Sequence, residues 1–253
     1  MKRRILDITL YRTYAELKSE AKRTYIGVLW WIIEPVLFML IFYFVFAVLF
    51  QRGTKDFVPF LLVGLTAWQW FQSTVMQSSR AITANRGLIQ QVFIPKFVFP
   101  TVVVLANTLK FLAVFVVLTL FLSVYGISPS LTWISAIPIL TTILLFIAGI
   151  SLLVSSVTPL LPDIRIVLEN GLRAVFFLSG IFYDINALPE RYASWLRWNP
   201  MAMLITDLRS VLIQSEAPRW GSVSAIAALS TALIVLGLTV LHRNESLYAK
   251  TTL

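Results

Sequence analysis

Apolar residues along this chain gather into long runs parted by short polar interruptions. From Val28 to Phe50 the run is almost wholly apolar, and at about 1.5 Å of rise per residue a helix of that length crosses a hydrocarbon core of roughly 30 Å. Comparable runs cover 57–79, 97–124, 131–158 and 221–241, and a weaker one, amphipathic at its start through Glu169, Asn170 and Arg173, covers 166–183. The pattern predicts an all-α polytopic membrane protein with six transmembrane helices. Ahead of the first, Leu6, Leu10, Tyr14, Leu17 and Ala21 recur at spacings of three and four, while Arg12, Glu16, Lys18, Glu20 and Lys22 fall elsewhere on the wheel. Residues 1–27 therefore predict an amphipathic helix at the membrane interface, as a plain anchor or with a part in handling substrate.

One stretch fits neither a span nor a loop. Across 184–220, Asp184, Glu190, Arg191, Arg197, Asp207 and Arg209 bring too much charge to cross hydrocarbon, yet Trp195, Trp198, Met201, Met203, Leu204 and Ile205 are too apolar for a solvated connection. Irregular backbone at membrane depth survives only where protein or a water-filled cavity covers it. The stretch predicts two short re-entrant helices between the fifth and sixth spans, broken around Asn199-Pro200. They act either as a gate or as a rigid plug.

Composition supports the membrane reading: 58% of the 253 residues are hydrophobic and 13% charged, against about a quarter charged in soluble proteins. The net charge of +9 reflects topology rather than nucleic-acid binding, because basic residues flank membrane spans on the cytoplasmic side. Lys2, Arg3, Arg4, Arg12, Lys18, Lys22, Arg23, Arg80, Arg86, Lys96, Arg165, Arg243 and Lys250 fall on one side, and Arg52, Lys55, Arg191, Arg197, Arg209 and Arg219 on the other. Both termini are then cytoplasmic and 184–220 lies outside. The basic start is broken by Asp7, Thr9, Arg12 and Thr13 before any apolar core, so no cleaved signal is expected.

Polar residues inside the apolar runs are the functional candidates. Glu34-Pro35 sits at the interface or faces a working interior. Trp68, Trp70 and Phe71 lie mid-span, where they pack or line a path. Lys110 must snorkel, pair or face water. The stretch Arg80–Phe99, stopped by Pro95, predicts a cytoplasmic hairpin. Ser151 and Ser155 predict close helix packing, and Ser224, Ala228 and Ala232 a packing ridge on the last span.

There is no cysteine and one histidine, His242, so neither a metal site nor a Ser-His-Asp triad is expected. No glycine-rich phosphate loop precedes any lysine, so ATP is not bound by that route. Driven transport needs a partner that supplies the energy.

The segment Arg23-Thr24-Tyr25-Ile26-Gly27-Val28-Leu29-Trp30-Trp31-Ile32-Ile33-Glu34-Pro35 resembles the opening signature of the ABC-2 family of exporter membrane subunits. So do Asn85-Arg86-Gly87-Leu88-Ile89 with Phe93-Ile94-Pro95-Lys96 and Pro100, Ser179-Gly180-Ile181-Phe182-Tyr183 with Leu188-Pro189, and Asn199-Pro200-Met201 followed by Arg209. The likeness covers nearly the whole chain and is nearest to permeases for O-antigen, capsule or teichoic acid polysaccharides. A departure is Leu160-Leu161-Pro162-Asp163-Ile164, where many relatives have an aromatic-arginine-aspartate sequence.

The resemblance implies a single transmembrane domain over 1–253 in the bacterial inner membrane. It implies a homodimer with two copies of an ABC ATPase that bind ATP and magnesium, this chain binding no cofactor itself. The substrate would be a polysaccharide on an undecaprenyl pyrophosphate lipid. Arg12, Lys22, Arg23, Tyr25, Glu34, Arg86, Pro95 and Lys96 would serve ATPase coupling or substrate entry. Pro189, Trp195, Trp198, Asn199, Pro200 and Arg209 would form the outer gate. Sugar rings stack on aromatic faces, so Trp68, Trp70, Phe71, Phe176, Phe177 and Tyr183, with Lys110, are the pathway candidates. An exporter of small hydrophobic molecules is the alternative within the family. A membrane enzyme on lipid-linked sugars, using Asp184, Glu190, Arg191 and Asp207, is the alternative outside it.

Overall fold

The computed structural model describes residues 2–22, 25–49, 56–92 and 94–245. Arg23, the polar turn beginning at Gln51, Phe93 and the tail beyond Glu245 lie outside the described residues. Every regular element among those described is helical. The first helix, α1 (Lys2–Lys22), is followed by a 3-10 turn (Gly27–Leu29) and α2 (Trp30–Tyr43), which continues as a π-helical segment to Leu49. Then come α3 (Phe57–Ser78), α4 (Arg86–Gln91), α5 (Val98–Tyr125), α6 (Ala136–Val157), α7 (Ile164–Phe177), α8 (Glu190–Leu196), α9 (Pro200–Arg209) and α10 (Trp220–Arg243).

Three of these are long and apolar enough to cross a membrane: α5, α6 with the turn before it, and α10. The length of α3 suffices at 22 residues, but its glutamines lower its hydropathy. With 14 residues each, α2 and α7 rise only about 21 Å. The run expected as a span over 166–183 is thus a shorter helix that stops at Phe177. Gly180 then reverses the chain at φ +64°, a conformation that favours glycine, and a Cβ there would meet the Ile185 side chain at 2.8 Å.

The tightest helix pair is α6 against α10. A Cβ on Gly149 would lie 2.8 Å from Leu233 Cβ, and one on Gly237 2.7 Å from Leu152 Cβ. Ser151 and Ser155 are fully buried on α6, as small residues at a close crossing should be. On α10 the contact face is Val223, Ile226, Ser230 and Gly237, all buried. This corrects the expected ridge: Ser224, Ala228 and Ala232 are exposed in the single chain. All-small positions recur on several faces of this helix, and the glycine that allows close approach decides among them.

The core lies between α3, α6 and α9. Leu61 and Val63 of α3, Ile139, Ile143 and Ile147 of α6, and Leu204 and Ile205 of α9 are all fully buried. Half of the anomalous charged stretch is therefore core, broken at Asn199-Pro200 as the sequence predicts. Along the other side, α1 runs beside α5, with Arg12 stacked over Phe99 at 5.2 Å. Its inward face carries Thr9 and Thr13, whose hydroxyls donate to the carbonyls of Ile5 and Thr9, each at 2.8 Å. The apolar stripe of Leu6, Leu10 and Tyr14 is left exposed.

Overpacking the close crossing should be costly. Gly149→Leu is expected to lower the unfolding free energy by about 1–3 kcal/mol, seen as a fall in melting temperature in detergent. Ala228→Leu, on the exposed face of α10, should stay within about 0.5 kcal/mol.

Candidate functional site

The glutamines of α3 are not scattered. Gln69, Gln72 and Gln77 recur with Ser73 and Met76 at helical spacing and share one face, while Leu61, Val63, Ala67 and Val75 turn to the core. That polar face looks into a cleft of about 680 Å³ bounded by α2, α3, α5, α7 and the end of α1. Trp31 and Glu34 border it from α2, Asn107, Lys110 and Phe111 from α5, and Arg173, Phe176 and Phe177 from α7.

Several polar groups bordering the cleft are held in place by a partner, whereas the buried Trp70 Nε1 has none. Asn107 donates to Gln77 Oε1 at 2.8 Å and to the Val103 carbonyl at 3.1 Å. Trp68 donates from Nε1 to Gln72 Oε1 at 2.8 Å, and its ring lies 5.7 Å from that of Phe176. Trp70 stacks on Phe111 with ring centres 4.0 Å apart. Arg173 pairs with Glu169 one turn back at 2.6 Å. The lysine that had to snorkel, pair or meet water does pair: Lys110 Nζ donates to Glu20 Oε2 at 2.5 Å, with side chains 12% and 40% exposed. Its ammonium also lies 5.8 Å from the centre of the Trp31 ring.

The fold thus brings together Trp68, Trp70, Lys110, Phe176, Phe177 and Glu34 around one space. It does not bring Phe71 or Tyr183 there. Phe71 stacks on Phe146 of α6, 5.7 Å away, and the Tyr183 hydroxyl donates to the Phe177 carbonyl at 2.9 Å. Glu20 went unrecognised as a partner because it sits on the charged side of α1, and only tertiary packing selects it over Glu16 or Glu34. The helical spacing of the α3 glutamines was the available signal for the cleft.

At the hairpin end, Arg12 Nη2 donates to Asn85 Oδ1 at 2.6 Å, tying α1 to the turn before α4. Lys96 is buried rather than presented to solvent, with its ammonium 3.4 Å from the Ile94 carbonyl. Burial lowers the pKa of both Arg12 and Lys96, and Glu245 partly offsets the effect on Lys96. Pro95 is half-buried, whereas Lys22, Tyr25, Glu34 and Arg86 are exposed.

At the other end, Asn199 caps α9. Its side-chain oxygen accepts from Met201 N at 3.0 Å and Ala202 N at 3.4 Å, while Nδ2 donates to Ser179 Oγ at 2.9 Å. Pro200 occupies the first turn of α9, where its fixed φ is tolerated, and the Pro189 carbonyl accepts from Tyr192 and Ala193 at the start of α8. Arg209 borders no opening: it is 4% exposed and donates to the carbonyls of Phe60 at 2.9 Å, Gly180 at 2.6 Å and Ile181 at 2.9 Å. Trp195 and Trp198, by contrast, are 79% and 86% exposed.

Chemically, the cleft offers flat aromatic faces, amides and paired charges. Among the described residues no three His, Cys, Asp or Glu side chains converge as a metal site would require. Such a surface is suited to holding a flexible, hydroxyl-rich molecule by stacking and hydrogen bonding.

The profile of a family described as ABC-2 type transporter matches residues 11–213. An O-antigen export system permease protein RfbA from Klebsiella pneumoniae is 28% identical over 97% of this chain and 95% of its own length. One of the same name from Myxococcus xanthus is 26% identical over 93% and 91%. The polysialic acid transport protein KpsM of Escherichia coli is 27% identical over 91% and 90%.

The Lys110–Glu20 pair should show asymmetric mutational costs. Glu20→Gln leaves a nearly buried ammonium without its acid and should destabilise more than Lys110→Met, which leaves a carboxylate that still reaches water. A double-mutant cycle is expected to give a coupling of about 1–2 kcal/mol, measured by denaturant unfolding in detergent.

Proposed function

Because this chain belongs to the ABC-2 type transporter family, we propose that it is the permease subunit of an ATP-driven exporter carrying a lipid-linked polysaccharide across the bacterial inner membrane. The cleft carries this reading. Its aromatic rings suit the C–H faces of sugars, its amides suit hydroxyls, and stacking tolerates sliding because it demands no one sequence of sugars. The names of the relatives, O-antigen export permeases and a polysialic acid transporter, point to the same substrate class.

In this proposal α2, α3, α5, α6, α7 and α10 are the six spans of a single domain over 1–253, with α2 extended by its π-helical segment. Both termini and α4 face the cytoplasm, where Lys22, Arg80, Arg86 and Lys96 accumulate. Two copies pair so that their clefts face one another across the axis and close a channel. Two ATPase subunits dock at the cytoplasmic side and bind the ATP and magnesium. Arg12, Lys22, Arg23, Tyr25, Arg86, Pro95 and Lys96 serve coupling and entry of the lipid-linked end, with Glu34 at the cleft rim. Trp68, Trp70, Lys110, Phe176 and Phe177 line the path. The α8–α9 element closes the exit on the outer side.

Reconstituted with its ATPase, the protein should hydrolyse ATP faster when a lipid-linked polysaccharide is added. Phe177→Ala, at a side chain 62% exposed, should cut that stimulation by about fivefold or more with little change in melting temperature. Stimulation by small hydrophobic compounds, and not by any glycan, would point instead to the small-molecule exporter.

A further inference from the structure

The two helices at the exit are fastened to the molecule very differently. From the first turn of α9 to Leu212, Met201, Ala202, Leu204, Ile205, Leu208, Val211 and Leu212 are all at most 1% exposed. Polar bonds run from this segment in four directions. Asn199 reaches Ser179 Oγ, and Arg209 reaches the carbonyls of Phe60, Gly180 and Ile181. Asp207 accepts from Arg219 Nε at 2.8 Å and from Ser222 Oγ at 3.2 Å. The Thr132 hydroxyl donates to the Val211 carbonyl at 3.2 Å.

Helix α8 has none of this. Among the described residues, its side-chain hydrogen bonds and ion pair close on itself: Arg197 with Glu190 at 2.7 Å and Ser194 with the Arg191 carbonyl at 3.1 Å. Ala193 is its one fully buried residue, in a small cluster with Ile185 and Ala202. Moving α8 strands no buried polar group, whereas moving α9 would strand a guanidinium, a carboxylate and several carbonyls. Segments that move in function come from the weakly held end of the stability range.

We propose that α8 is a flap over the exit and α9 its fixed frame, with the flap turning about Pro189 and the Trp198–Asn199 junction. This rests on the export reading. Opening lifts Ala193 and Leu196 away from Ala202 of α9, carrying the exposed Trp195 with them, while α9 stays fastened to α3, the α7 end and α10.

Hydrogen–deuterium exchange on the unmodified chain in nanodiscs tests the asymmetry without any transport assay. The amides of Ser194 to Arg197 should exchange on the order of 100-fold faster than those of Met203 to Leu208, and equal protection would overturn the proposal. The chain has no cysteine, so introduced pairs are its sole thiols. In an export assay with the ATPase and a lipid-linked glycan, oxidising an Ala193→Cys/Ala202→Cys variant should lower export about tenfold, reversibly with reductant. Oxidising a Ser130→Cys/Ser215→Cys variant, whose hydroxyls lie 3.4 Å apart between the turn before α6 and the end of the α9 segment, should change it by no more than about twofold. Both disulfides blocking, neither blocking, or only the second blocking would each overturn it. If the reduced variants and the parent export no glycan, the export reading fails, and the exchange measurement still decides between flap and rigid plug.

Discussion

A guanidinium with 4% of its surface exposed survives only if acceptors surround it, and Arg209 finds them in main-chain carbonyls. Phe60 lies 149 residues from it in sequence and Gly180 and Ile181 lie 29 and 28 residues before it, yet all three converge on one side chain. The Phe60 ring covers the guanidinium, 3.4 Å from ring centre to Cζ. Gly64 opens the slot, since a Cβ there would lie 2.2 Å from Nη2. The planar fork of arginine suits three diverging carbonyls in a way a point ammonium does not. Through this one residue, the start of α3, the turn after α7 and the end of α9 are fixed together, and the cleft is shaped between α3 and α7.

The cleft shows the same rule at lower stringency. Polar groups that would be expensive in lipid are kept by partners, Lys110 by Glu20 and Asn107 by Gln77 across helices and Trp68 by Gln72 within α3. The result is a space that is both aromatic and hydrogen-bonding, with Lys110 and Arg173 each paired to a glutamate and the Glu34 carboxylate exposed at its border. In the export proposed for this chain, a surface of that kind would hold a sugar chain loosely enough for it to advance.

The sequence made the apolar runs, the break at Asn199-Pro200 and the crossing at Ser151 and Ser155 legible, because each follows from local hydropathy, proline geometry or residue size. It hid whatever depends on a distant partner. Nothing near Lys110 in the chain names Glu20, and nothing near Arg209 announces that backbone carbonyls will receive it. The contact face of α10 was misread because Ser224, Ala228 and Ala232 are as small as the residues that pack, and only the pairing of Gly149 with Leu233 and of Gly237 with Leu152 distinguishes the faces. Likewise the α3 glutamines register as weak hydropathy along the chain, and become a cleft wall only when helical spacing is considered. The pathway set was partly legible for the same reason: Trp68 and Trp70 stood out by type, but burial sends their neighbour Phe71 to Phe146 instead.

Arg209→Lys isolates the contribution of the Arg209 fork because the charge is kept and the geometry lost. The unfolding free energy of that variant in detergent is expected to fall by about 2 kcal/mol or more. A value within about 0.5 kcal/mol of the parent protein would contradict the claim that this residue holds α9 in place.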